Sequence, residues 1–76
     1  QAVPLLSFEA NLPAFLEETI TCIDKLLALD PYALFNCSMD DSSLIFPGFQ
    51  SADHFKQWLL TQTATYLEIF CTMPSK

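Results

Sequence analysis

Cys22, Cys37 and Cys71 are the residues of this 76-residue chain with the most readily anticipated chemistry. An odd cysteine count in a short chain points to a bridge to a second chain or to a free thiol. Cys37 also sits in the triplet Asn36-Cys37-Ser38. That triplet fits the N-x-[ST] pattern of N-glycan acceptors, which makes Asn36 a candidate glycosylation site and suggests a secreted chain. Gln1, with no Met before it, reads as a processed N-terminus, and no signal-peptide pattern is seen. The expected localisation is therefore secreted and extracellular.

Catalytic chemistry has little to build on. His54 is the only histidine, and it falls on the polar side of its segment, as a solvated residue does. A cysteine nucleophile needs a histidine beside it, and none of the three cysteines is near His54 in sequence. Asp40-Asp41 lacks the spacing and the central glycine of a calcium loop, so it reads as solvation or capping. Gly48 is the only glycine, which rules out a phosphate-cradling loop. No metal site, no cofactor and no enzymatic activity are expected.

Composition narrows the partners. Nine acidic residues face three lysines and no arginine, a net charge of −6. Phosphate recognition needs clustered cations, so nucleic acid is not an expected partner. The chain is also 51% hydrophobic, with twelve leucines and seven phenylalanines. A chain of this length buries only about 60% of the surface its unfolded form exposes. The surplus needs an outlet: a partner chain, an apolar ligand or a lipid surface. No apolar run approaches the roughly 18 residues of a membrane span, which excludes integral membrane insertion.

The elements that would position these residues read as helical. Residues 1–10 form an apolar lead-in, with Leu5, Leu6 and Phe8 docked on the core. Asn11 is a candidate N-cap, with Pro13 in the first turn, for a helix over about 12–29. There Leu12, Phe15, Leu16, Thr19, Ile20, Cys22, Ile23, Leu26 and Leu27 share one side. Asp30-Pro31 ends that helix and starts a short helical turn near 31–36, followed by a polar loop over 37–43 and the apolar plug Leu44-Ile45-Phe46. Ser51 caps a second helix over about 52–72. Thr61, Thr63 and Thr65 lower its helix propensity and look strand-like, but an apolar period near 3.6 extends through Met73. The expected fold is all-α: a single small helical domain over 1–76, with two long amphipathic helices packed antiparallel.

In the second helix, Leu60, Leu67 and Cys71 form an apolar stripe beside the main face, and this predicts an interface with a second chain. Residues 1–10 or 44–49 are the alternative cover. Antiparallel packing brings Cys37 over Cys22, and a bridge there closes a loop of about 15 residues, worth about 3 kcal/mol in the chain-entropy model. The favoured arrangement is Cys22–Cys37 within the chain and Cys71 between chains. The alternatives are Cys37–Cys71, with Cys22 free or intermolecular, and three reduced cysteines.

Thr19 and Gln62 are polar residues on otherwise apolar faces. They predict either a mutual hydrogen bond that fixes register or a polar anchor in an apolar cavity. In the second case Phe15, Thr19, Ile23, Phe55, Trp58, Leu59, Gln62, Tyr66 and Phe70 line the cavity.

Cys22-Ile23-Asp24-Lys25-Leu26, and a cysteine close to the C-terminus in Cys71-Thr-Met-Pro-Ser-Lys, resemble segments of the secretoglobins. In that family the first segment lies mid-chain and another cysteine stands near the N-terminus, unlike here. The resemblance implies an acidic, all-helical secreted subunit that pairs through disulfides around an apolar cavity. The expected function is thus a non-enzymatic subunit that forms a homo- or hetero-dimer and binds a small hydrophobic, lipid- or steroid-like molecule between its helices. The alternatives are a secreted signalling or host-interaction ligand acting through an exposed apolar patch, and one chain of a hetero-oligomer.

Overall fold

The computed structural model describes residues 5–12, 14–39, 43–62 and 65–75. Gln1, Pro13, the Asp40-Asp41 pair and Thr63 lie outside the described residues. The element order is β1 (Leu5–Leu12), α1 (Leu16–Leu29), β2 (Leu34–Ser38), β3 (Gln50–Ser51), α2 (Ala52–Leu59) and β4 (Thr65–Thr72). This is an α/β fold, and it corrects the all-α expectation.

The two discrepancies share a cause. Residues 5–12 alternate, with Leu6, Phe8, Ala10 and Leu12 on one side and Ser7, Glu9 and Asn11 on the other. That period of two makes a strand where an apolar lead-in was expected. Leu67, Ile69, Cys71 and Met73 alternate in the same way, and all four are buried. The β-branched threonines that precede them favour the extended backbone. Helix α2 therefore stops at Leu59 and does not run to residue 72. The expected turn over 31–36 is likewise a turn at 31–32 followed by β2.

Helix α1 keeps most of its expected span. Its start moves to Leu16 because Asn11 belongs to β1, where its carbonyl accepts the Phe15 N–H at 2.8 Å. Thr19, Ile23 and Leu26 form its inner side, and Glu17 and Glu18 stand in its first turn, where the helix dipole favours anions. Asp30 ends the helix. Its Oδ1 accepts the Tyr32 N–H at 2.9 Å, and its Oδ2 accepts the Ser75 N–H at 2.9 Å. One buried carboxylate thus shapes the turn into β2 and ties down the segment after β4. Ser51 caps α2 as the sequence predicts, its Oγ accepting the His54 N–H at 3.3 Å.

The sheet has strand order β1-β4-β2-β3, and every neighbouring pair is antiparallel. Strand β4 is central, so β1 and β2 run parallel to each other on either side of it. Ile23 and Leu26 of α1 and Phe55 and Leu59 of α2 share one core with Phe35, Cys37, Leu67, Ile69 and Cys71. Both helices therefore cover the same side of the sheet. At the β2 end, Phe46 reaches under α2 and packs edge-on to Trp58 and Phe55, with centroids at 5.3 and 6.1 Å. Phe55 in turn stacks on Phe35 at 5.8 Å.

Candidate interaction surface

The side of the sheet away from the helices is covered by no described helix or strand. Alternation along β1, β4 and β2 assigns its residues, and the strand register sets them in rows. Asn11 lies beside Tyr66; Glu9 beside Glu68 and then Ser38; Ser7 beside Phe70 and then Asn36; Thr72 beside Leu34. Tyr66 is 51% exposed and Phe70 and Leu34 are half-buried, whereas Asn36 and Ser38 on β2 are buried, so the open part of this face lies along β1 and β4.

The charge on this face is one-sided. Glu9 and Glu68 are directly opposed across the β1–β4 ladder. Two hydrogen bonds outside the ladders fix which pairs bond. The Ile45 N–H donates to the Cys37 carbonyl, so Cys37 turns its backbone away from β4. The Phe15 N–H donates to the Asn11 carbonyl, so Asn11 turns its own away from β4 as well. Alternation from either point makes Glu9–Glu68 a non-hydrogen-bonded pair, the kind whose side chains approach most closely. Like charges placed so are destabilising. Neither carboxylate has a cationic partner among the described residues. The one ion pair among them joins Lys56 to Asp24, and both described lysines belong to helices on the other side.

The Asn-Cys-Ser triplet has a structural role here. Asn36 is fully buried. Its Nδ2 donates to the carbonyls of Phe46 and Gly48 at 3.0 and 3.4 Å, and its Oδ1 accepts the N–H of Cys37 and of Phe46 at 2.8 and 3.1 Å. The nitrogen that would carry a glycan thus clamps the 46–48 loop onto β2. A glycan on Asn36 and this fold exclude one another. Beside it, the Ser38 Oγ is buried and makes no hydrogen bond among the described residues.

All three cysteines are free thiols. No bridge joins Cys22 to Cys37. Cys71 is fully buried, so its sulfur is out of reach of a second chain. Burial pushes the Cys37 thiol up to about 12. Burial, followed by the nearby charges of Asp30 and Cys22, pushes Cys71 up to about 11. Both are poor nucleophiles, because the thiolate is the reactive form. The expected interface stripe also dissolves: Leu60 is exposed just past the end of α2, while Leu67 and Cys71 are interior positions of β4.

Comparison with protein-family models, with curated proteins and with solved structures found no match. The all-helical architecture implied by the secretoglobin resemblance is not the one this chain adopts.

The nine expected cavity residues do not converge. Ile23, Phe55 and Leu59 pack into the core, with Trp58 half-buried against it. Thr19 is buried, but its Oγ1 donates to the Phe15 carbonyl at 2.8 Å. Gln62 does not reach Thr19; its Nε2 donates to Thr61 Oγ1 at 3.0 Å. Phe15 is 51% exposed at the start of α1. Tyr66 and Phe70 lie on the opposite side of the sheet from the helices. Two surface grooves, one along Glu17, Thr21, Cys22 and Lys25 and one between Leu27, Tyr32, Ala33 and Asp53, are lined by none of the nine. His54 donates from Nδ1 to Gln50 Oε1 at 2.6 Å on the surface. Among the described residues no group of three His, Cys, Asp or Glu could hold a metal, and no helix is long and apolar enough to cross a membrane.

Sequence reasoning missed Glu9 and Glu68, and it named Asn36 and Asp30 without the hydrogen bonds they make to the 46–48 loop and to Ser75. For Glu9, the alternation of Leu6, Phe8, Ala10 and Leu12 was the available signal. It would have given the strand and placed Glu9 on its polar side, though not opposite Glu68.

Proposed function

We propose that this chain is a non-enzymatic interaction module that docks a lysine- or arginine-bearing polypeptide on the open side of its sheet. The observation that carries the reading is the Glu9–Glu68 pair, set among Tyr66, Phe70 and Leu34 with no cation beside it among the described residues. A partial apolar surface supplies contact area, and the uncompensated carboxylates supply the preference for a cationic partner. A face of this kind discriminates by charge, because an acidic partner meets repulsion there. The reading shares an exposed docking face with the expected ligand acting through an apolar patch, but it adds opposed carboxylates that the expectation did not contain. It does not need the two long helices on which a cavity for a small apolar molecule depended.

The test is an NMR titration of the labelled protein with a short, soluble peptide containing several lysines and leucines. Shifts centred on residues 34, 66–72 and 7–11 are the expected result, weakening as salt is raised. Shifts confined to α1 and α2, or none at all, refute the reading.

A further inference from the structure

We infer that the partner enters as an extended strand added to the free edge of β1, with a lysine or arginine opposite Glu9. This inference rests on the open-side reading and goes further, naming the edge, the register position and the chemistry of the incoming segment. Strand β1 ends the sheet order, so among the described residues its one ladder is with β4. It is eight residues long. Even-numbered residues of β1 bond to β4, by the alternation that made Glu9–Glu68 a non-hydrogen-bonded pair. Ser7 and Glu9 therefore turn their N–H and C=O groups outward. No described residue beyond the ladder bonds to either of them. A row of outward donors and acceptors is a template for another strand.

Side chains along this edge specify what the strand carries. Residues with outward backbone groups, Ser7 and Glu9, also point their side chains to the open face. A residue paired with Glu9 would flank it on the side away from Glu68. A cation there relieves the opposition of the two carboxylates. On the helix side the same edge leaves Leu6 38% exposed and Phe8 half-buried. Apolar residues at the alternate positions of the incoming strand would cover these. The segment expected is thus an alternation of basic and apolar residues. A second copy of the chain does not fit this description. Pairing β1 on β1 would bring a second Glu9–Glu68 pair to the seam, in a molecule already at −6.

The experiment uses a capped octapeptide alternating lysine and valine, a glutamate–valine control, and a lysine–valine version N-methylated at alternate amides to block ladder formation. Binding is read by NMR, together with amide exchange at Ser7 and Glu9. The lysine–valine peptide is expected to bind and to slow exchange at those two amides, and neither control should do so. Glu9→Lys should weaken binding about fivefold or more, from the loss of one cross-strand ion pair. Ser7→Pro removes one outward N–H at an edge position where proline is tolerated, and should also weaken binding while leaving the β1–β4 ladder intact. Equal binding of the N-methylated or the glutamate peptide overturns the inference. So does exchange protection at Ser7 and Glu9 without any peptide, which would make a second copy the occupant. Shifts at Tyr66 and Phe70 with unchanged edge amides sink strand addition but spare the open-side reading. Silence at both places sinks both.

Discussion

The two sides of β4 share one backbone and face different demands. Leu67, Ile69 and Cys71 point to the helices and are fully buried. Tyr66, Glu68, Phe70 and Thr72 point the other way and keep part or half of their surface. The first side holds the fold together. The second carries two aromatic residues, Tyr66 and Phe70, and a carboxylate, Glu68, that faces Glu9 across the ladder. A strand can thus devote alternate positions to packing and leave the others open to solvent.

The sharpest way to break this contrast is truncation on each side. Leu67→Ala should cost about 3 to 4 kcal/mol by opening a cavity under the helices, read from the denaturant midpoint. Tyr66→Ala, next to it, should cost far less. Comparable losses would mean that the open side is packed against something in solution.

Asp30→Ala comes next, at about 3 kcal/mol, because two backbone N–H groups lose a charged acceptor. Proteolysis after Tyr32 or near Ser75 should rise with it. Asn36→Ala should cost about 2 kcal/mol by releasing the 46–48 clamp, again by denaturant unfolding. Normal stability in this variant would show that Phe46 alone holds the loop.

Alkaline pH tests the buried side in another way. Both buried thiols have raised folded values, about 12 for Cys37 and about 11 for Cys71, against 9.0 in the unfolded chain. Their contribution is therefore complete below pH 9.0 and is lost as pH climbs through 11 and 12. The loss sets in just above pH 9.0 and is already substantial at about pH 10, and the decline should be flatter in a variant carrying both Cys37→Ala and Cys71→Ala.

The smallest effect is expected on the open side and has the opposite sign. Glu68→Gln should leave stability unchanged or raise it by up to about 0.5 kcal/mol, since it removes a like-charge opposition. A clear loss would mean that Glu68 has a partner in solution.

Part of this architecture is legible in the residues. The apolar side of α1, its end at Asp30 and the Ser51 cap follow from local rules that act within a few residues. β4 was obscured because Tyr66, Ile69, Phe70 and Met73 satisfy a helical period while Leu67, Ile69, Cys71 and Met73 satisfy a strand period. Only burial decides between the two, and burial depends on where the rest of the chain lies. Asn36 was read as a glycan acceptor because a three-residue pattern says nothing of the loop ten residues away to which it bonds. The Glu9–Glu68 pair belongs to the ladder register between two distant strands, which neither strand's own sequence contains.

The place of β4 in the sheet also governs how the chain must assemble. It is the last of the six elements, yet it lies between β1 and β2. Until it inserts, β1 has no ladder partner and β2 has only the two-residue β3. Most of the sheet therefore forms through contacts between segments far apart in sequence, which slows folding relative to a helical chain of equal length. During that interval Leu6, Phe8 and Phe35 are exposed on unpaired strands. The rate at which β4 docks thus limits how long this acidic, leucine-rich chain is vulnerable to aggregation.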